Sequence, residues 1–86
     1  MREIVTTARF ERRLVRFSRQ HPKLKNFIAE VMRTIARGDS KIHIHALHSP
    51  MKGTYASRIS QQYRIVFTLE PDAVIFLDIG SHDEVY

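Results

Sequence analysis

Two strand-like runs decide the fold, and they meet in residues 55–69, YASRISQQYRIVFTL. Apolar residues alternate with polar ones in both runs, which is typical of strands that bury one face. A two-residue turn between them would place Ile59 opposite Arg64, on the same face as a guanidinium, so the turn must contain an odd number of residues. With residues 61–63 as the turn, Ile59 is predicted to pair with Ile65.

This register places two arginines on the side of the sheet that faces away from the helices. Ser60 then pairs with Arg64, and the outward-facing residues are Arg58, Ser60, Arg64 and Thr68. Such a face is ordinarily covered or uniformly polar, so two guanidiniums beside small hydroxyls favour an anion-binding site. The alternative is a pair of solvated arginines that bind no ligand.

Two helices are predicted in the N-terminal half of the chain. Thr6 or Thr7 can cap the first helix, which follows a short strand at Glu3–Thr6. Pro22 suits the first turn of the second helix, and Gly38 suits its end. The short connection between them predicts an antiparallel helical hairpin.

A further strand is predicted near the C-terminus. The run Ala73–Ile79 alternates in the manner of a strand, with Ile75, Leu77 and Ile79 expected to face the helices. Residues 41–50 also alternate in part, but their pattern fits a strand and a loop equally well.

Length and composition indicate one small domain that spans residues 1–86. The 86 residues are 43% hydrophobic and include only three Gly and three Pro, which is a globular balance. The predicted class is α+β: a short N-terminal strand and a two-helix antiparallel hairpin packed on a small antiparallel sheet. The absence of cysteine favours the reducing cytosol, and no apolar run approaches the roughly 20 residues of a membrane span.

Charge is distributed unevenly along the chain. Residues 1–37 carry ten Lys/Arg against three acids, residues 38–69 four against one, and residues 70–86 five acids alone. A basic body therefore meets an acidic last segment, within a net charge of +5. This field favours a polyanion or an acidic protein as partner, although a merely soluble basic surface is the plainer interpretation.

Three segments of the chain form a recognisable set: residues 52–60, KGTYASRIS, residues 63–67, YRIVF, and residues 79–86, IGSHDEVY. Together they resemble the RelE/ParE toxins, and in particular their YoeB-like and YafQ-like mRNA interferase branches. The resemblance covers essentially the whole chain and implies the RelE-like fold. It also implies a ribosome-dependent endoribonuclease that cleaves mRNA in the ribosomal decoding site and is silenced by a cognate antitoxin.

The resemblance also implies which residues form the site. Arg64 matches the family's phosphate-contacting arginine, and Arg58 matches a second basic position of the YoeB-like branch. His82 matches the near-terminal catalytic histidine, Tyr86 the terminal aromatic residue, and His45 a position held by Glu or His in the relatives.

These residue types suit RNA cleavage without a metal or a cofactor. When the 2′-hydroxyl attacks the neighbouring phosphorus, the reaction needs a base, an acid and positive charge at the phosphorane, and histidine suits both proton roles. His45 and His82 are the expected base and acid, in either order, and the two arginines stabilise the phosphate. Tyr86 is expected to stack on a base or assist proton transfer, and Lys52 to hold the RNA backbone.

Several side chains admit other interpretations. His82 could stabilise a tail turn through Asp83, and His45 could be an ordinary surface residue. Asp83 and Glu84 could orient His82 or merely repel nucleic acid. Asp78 has the parity of the outward face and could pair with Arg64. The set His43, His45 and His48 suggests zinc, but it lacks a second ligand cluster.

Two other functions compete with RNA cleavage. A ParE-like protein of this fold would inhibit DNA gyrase by contact, without nuclease activity, and a silent module would only bind RNA or an antitoxin. Under each of these readings an acidic antitoxin is the expected protein partner, in a toxin–antitoxin hetero-oligomer away from any membrane.

Overall fold

A computed structural model describes residues 1–38, 44–46 and 53–85, with side chains except those of residues 44–46 and 82. Five strands, two long helices and a short C-terminal helix lie within these residues. In chain order they are β1 (Glu3–Thr6), α1 (Ala8–Gln20), α2 (Lys25–Arg37), β2 (Ile44–Ala46), β3 (Thr54–Arg58), β4 (Tyr63–Leu69), β5 (Ala73–Ser81) and α3 (His82–Val85).

The two long helices follow the sequence prediction except at the start of α2, which begins at Lys25, three residues after Pro22. Thr7 is the N-cap of α1, and its hydroxyl accepts a hydrogen bond from the Phe10 N–H at 3.1 Å. Pro22 opens a 3₁₀ turn, Pro22–Leu24, that leads into α2, and Gly38 ends α2 in the left-handed conformation at φ 72°. In the described part of the chain no helix is long and apolar enough to cross a bilayer.

The strands form one sheet in the order β1-β5-β4-β3-β2. Strand β1 runs parallel to β5, with Glu3 opposite Ala73, and the other neighbours are antiparallel. The predicted α+β architecture is confirmed, with the N-terminal strand making the sheet mixed. Part of the ambiguous stretch 41–50 forms β2, which extends the sheet beyond β3.

The main core lies between the two long helices and one face of the sheet. Helix α1 contributes Phe10 and Phe17, and α2 contributes Ile28 and Ile35, all of them buried. The sheet residues that meet them are Ile59, Ile65, Phe67, Val74, Phe76 and Ile79. We call this side of the sheet the inner face and the opposite side the outer face.

The β3–β4 turn lies one residue earlier than predicted. Arg58 pairs directly with Arg64, and the Ile59 N–H donates to the Tyr63 carbonyl at 3.0 Å, so residues 60–62 form the turn. The predicted Ile59–Ile65 and Ser60–Arg64 pairs are therefore wrong by two positions. Because a shift of two restores the same faces, the arginines still lie on the outer face.

The predicted orientation of β5 is correct only for Ile79. A β-bulge pairs Val66 with Asp78 and Phe67 with Phe76, which leaves Leu77 between them. Val74 and Phe76 thus occupy the inner face, and Leu77 packs against the apolar cluster of the outer face. Ile75 is opposite Thr68, which has outer-face parity. A β-bulge of this kind cannot be predicted from the sequence when the apolar residues alternate regularly.

Candidate functional site

The outer face carries a small apolar cluster beside two arginines. Ala56 and Val66 are buried beneath Val85 of α3, with Leu77 at their side. Arg58 and Arg64 are the next outward positions along β3 and β4. Helix α3 therefore lies on the outer face immediately next to the arginine pair.

Arg64 is held by the turn that it follows. Its Nη1 donates to the carbonyl oxygens of Ser60 at 2.8 Å, Tyr63 at 3.0 Å and Gln61 at 3.2 Å. Its Nε and Nη2 form no hydrogen bond with any residue that the structure describes. One edge of the guanidinium is thus fixed in place while the other two nitrogens remain able to bind an anion.

Arg58 is exposed, in contrast to the half-buried Arg64. Among the described side chains it has no hydrogen-bond or ion-pair partner. Two like charges directly opposite each other on adjacent strands are unfavourable, so an anion between them would stabilise the arrangement.

The strand pairing brings the end of β5, which leads into His82, beside Arg64. Gly80 is the partner of Arg64 in β5, and His82 follows two residues later as the first residue of α3. Paired residues in an antiparallel sheet lie about 4.5–5.5 Å apart at their Cα atoms. The backbone two residues before His82 therefore lies beside Arg64.

A capping box begins α3. The Glu84 N–H donates to the Ser81 hydroxyl at 3.2 Å, and the Ser81 N–H donates to Glu84 Oε1 at 2.9 Å. Hydrogen bonding to Ser81, first through its N–H and then through its hydroxyl, holds the pKa of Glu84 below its usual value. The positive charges of Arg13 and Arg16 act in the same direction.

Three arginines on one side of α1 contact acidic residues at the end of the chain. Arg16 Nη2 lies 2.7 Å from Glu84 Oε2, and Arg13 Nη2 lies 3.7 Å from the same oxygen. Arg13 Nε also lies 2.9 Å from Asp78 Oδ1, and Arg9 Nη2 lies 3.2 Å from Asp78 Oδ2. The spacing of residues 9, 13 and 16 places all three on one helical face.

Asp78 does not pair with Arg64, which was one of the possibilities that its parity left open. Asp78 is only 8% exposed, and its carboxylate is occupied by Arg9, Arg13 and the Ile79 N–H. Phe76 is the last residue of β5 that pairs with β1, so at Asp78 this edge of β5 is accessible to the arginines of α1.

A cavity of about 330 Å³ lies at the end of the sheet where β4 begins and β5 ends, and neither Arg58 nor Arg64 lines it. Its lining consists of Gln62, Tyr63, Ser81 and Asp83, so it lies between the β3–β4 turn and α3. The Tyr63 ring meets Phe17 edge-on at 4.9 Å, and the His21 ring lies 4.7 Å away. Amide, hydroxyl and carboxylate groups around one aromatic ring are suited to a polar, planar ligand.

The other predicted site residues fall at the margins of the described structure. The His45 backbone is in register with Ala56, an outer-face residue two positions from Arg58. Lys52 and Tyr86 lie outside the described residues, as do His43 and His48. The sequence does contain the signal for the capping box, Ser-X-X-Glu at residues 81–84, which our interpretation of the sequence missed.

Comparison with known proteins identifies the fold. No family model and no curated protein sequence matches this chain. Among solved structures, a copper-bound mutant toxin from Helicobacter pylori has a TM-score of 0.87 at 21% identity, with all of both chains covered. YafQ from E. coli has 0.84 at 17% identity, over 100% of this chain and 99% of its own.

The YoeB structure extends the same comparison. The structure of the YoeB dimer from Staphylococcus aureus has a TM-score of 0.78 at 20% identity, over 94% of this chain and 97% of its own. YafQ has also been solved in a toxin–antitoxin complex with DinJ, and YoeB in a complex with YefM. The chain therefore has the RelE-like fold of the YafQ and YoeB structures, as the resemblance of its sequence predicts.

Proposed function

We propose that this protein is the toxin of a type II toxin–antitoxin system and that it cleaves mRNA on the ribosome. The observation that supports this best is the arginine pair: Arg58 and Arg64 face each other on the outer face, where β5 continues into the turn that carries His82. A phosphodiester bound by both guanidiniums would lie beside that turn.

The chemistry is an internal transesterification. A base removes the proton of the 2′-hydroxyl, whose oxygen attacks the adjacent phosphorus, and the bond to the 5′-oxygen breaks as an acid protonates that leaving oxygen. The products are a 2′,3′-cyclic phosphate and a 5′-hydroxyl. His45 and His82 are the proposed base and acid, in either order, because imidazole titrates near neutral pH.

The arginines supply the electrostatic part of catalysis. Negative charge increases on the non-bridging oxygens as the phosphorane forms, and donors that are already positioned stabilise it without reorganisation. Arg64 meets this condition because three carbonyls fix its Nη1. Arg58, which is exposed, completes the pair once an anion is bound.

Lys52 and Tyr86 are assigned supporting roles. Lys52 would contact the RNA backbone as a point charge, and Tyr86 would stack on a base or assist proton transfer. Both assignments rest on the sequence resemblance.

The proposed protein partner is an acidic antitoxin in a cytoplasmic hetero-oligomer. A net charge of +5 favours an acidic partner, and the similar folds of YafQ and YoeB have been crystallised with DinJ and YefM. Because the antitoxin and mRNA would both bind to the same positive charges, binding of one would exclude the other from the arginine pair.

The test is cleavage of a translated mRNA in a reconstituted translation reaction. The purified protein is first treated with EDTA to remove bound metal, and the fragment ends are mapped by primer extension. We expect cuts within codons, and a loss of about 10²–10⁴-fold for both His82→Ala and Arg64→Ala. Arg37→Ala, on the far end of α2, serves as the matched control for a lost arginine. Near-normal cleavage by both site variants would refute the assignment, and gyrase-dependent DNA breaks without RNA fragments would favour the ParE-like alternative.

A further inference from the structure

We infer that Arg13, Arg16 and Glu84 form a clamp that positions the His82 turn for catalysis, with Glu84 as its central positioning residue. This inference rests on the proposed nuclease function, since it assigns His82 a part in the reaction. None of the three residues needs to touch RNA. They act by fixing α3 against α1.

Helix α3 cannot be stable by itself. It has only four residues, His82–Val85, and helix formation is unfavourable until several turns have formed. The capping box supplies two local hydrogen bonds through Ser81 and Glu84. Something outside the turn must fix its position relative to the sheet.

Among the described side chains, Val85 and Glu84 anchor the turn. Val85 is buried against Ala56 and Val66 on the outer face. Glu84 uses Oε1 for the cap and Oε2 for Arg16, so one carboxylate joins the turn to α1, 68 residues away in sequence. His82 and Asp83 precede these two anchors, and the positions of their backbones are thereby fixed relative to Arg64.

Gly80 provides the space for this arrangement. A Cβ atom at position 80 would lie 3.1 Å from Glu84 Oε1 and 3.2 Å from Arg13 Nη2. Both distances are shorter than ordinary contacts, so a side chain here would displace the carboxylate or the guanidinium. The absence of a side chain lets the clamp close directly over the strand position paired with Arg64.

Arg13 links both acidic residues to the helix. Its side chain is 21% exposed, its Nε is bonded to Asp78, and its Nη2 is buried without a hydrogen bond to any residue that the structure describes. Nη2 lies 3.7 Å from Glu84 Oε2, which makes this carboxylate the counter-charge of a buried nitrogen. Loss of the Glu84 charge would therefore loosen the turn and also leave Arg13 less well compensated.

Glu84→Gln and Glu84→Ala separate the clamp from the cap. Glutamine preserves the capping box but loses the charge, whereas alanine loses both. Glu30→Gln is the matched control, because Glu30 also bridges two arginines, Arg33 and Arg37, but entirely within α2.

The first measurement is amide hydrogen exchange of residues 82–85, followed by NMR, which does not depend on nuclease activity. We expect exchange to accelerate about tenfold or more in Glu84→Ala and less in Glu84→Gln, with no change in Glu30→Gln. The second is steady-state cleavage. Here kcat should fall about 10- to 100-fold in Glu84→Ala with little change in KM, because a displaced catalytic group affects the chemical step.

The outcomes separate the clamp from the proposed function. Unchanged exchange in Glu84→Ala would overturn the clamp itself. Faster exchange with wild-type kcat would overturn its positioning role while leaving the nuclease intact. A wild-type protein that cuts no RNA would refute the proposed function, whatever the exchange shows. Thermal unfolding tests whether each variant is folded. If Glu84→Ala is unfolded, hydrogen exchange and kcat are measured on Glu84→Gln and Arg16→Ala instead, with Arg16→Lys as the variant expected to rescue Arg16→Ala.

Discussion

Arg58 and Arg64 are directly paired on one face of the sheet, yet they differ in exposure and in hydrogen bonding. Arg64 is half-buried and donates to three carbonyls of the turn, whereas Arg58 is exposed and has no bonded partner among the described residues. Strand parity alone determines their common face. The turn that closes the hairpin determines which of the two is held in place, so only Arg64 combines a structural role with the proposed binding role.

The sharpest test of this difference is Arg64→Ala. We expect cleavage to fall about 10²–10⁴-fold, because a fixed donor at the phosphorane is lost. We also expect the free energy of unfolding to fall by roughly 1–3 kcal/mol, because a charged donor is removed from the three carbonyls of the turn. Urea denaturation and the translation assay measure the two effects, and a stability equal to that of the wild type would show that the turn does not depend on Arg64.

Arg58→Ala should affect function alone. Cleavage should again decline, but the free energy of unfolding should change by less than about 0.5 kcal/mol, because an exposed side chain without a bonded partner is lost. The slope of RNA affinity against salt concentration should also decrease by about one ion if Arg58 contacts a phosphate. Destabilisation greater than that of Arg64→Ala would reverse the comparison.

The stability contributions of Arg64 and of Glu84 in the clamp should respond differently to acid pH. The folded state lowers the pKa of Glu84 from its usual value of 4.5, so its contribution to stability is present above that value and is lost as the pH falls through the lowered pKa. The stability difference between wild type and Glu84→Gln should therefore shrink below about pH 4.5. That between wild type and Arg64→Ala should persist, because arginine remains charged. Equal pH dependence of both differences, measured by urea denaturation, would contradict this distinction.

A smaller effect is expected from Ser57→Ala, which tests the register that separates the two faces of β3. Ser57 is fully buried, and its hydroxyl has no hydrogen-bond partner among the described residues, so its removal should leave stability unchanged or raise it by up to about 1 kcal/mol. RNA cleavage should be unaffected. Destabilisation by more than that amount in thermal and urea unfolding would mean that the hydroxyl is bonded and that β3 is oriented differently.

The sequence was sufficient for the elements that depend on local chemistry and strict periodicity. Thr7, Pro22 and Gly38 mark helix ends because each satisfies a backbone requirement of its own position. The outward direction of Arg58 and Arg64 followed from the period of two, which survives an error of two in register.

What the sequence did not predict depends on contacts between distant residues. The bulge at Leu77 reversed the expected faces of Ile75 and Leu77 in β5. Pairing with β1 ends at Phe76, so Asp78 binds the arginines of α1 and not Arg64. The pairing of Arg16 with Glu84 spans 68 residues and leaves no local pattern. Only the capping box of residues 81–84 had a local signal, and it would have predicted a helical turn at His82.

A single RNA site formed by Arg58, Arg64 and His82 can be tested by NMR observation of arginine Nε–H and histidine ring signals while a short RNA is added. A 2′-deoxy nucleotide at the cleavage position prevents reaction. We expect the signals of Arg58, Arg64 and His82 to shift together with one midpoint, while those of Arg33 and Arg37 do not shift. Shifts confined to the α2 arginines, with Arg58, Arg64 and His82 unmoved, would contradict it.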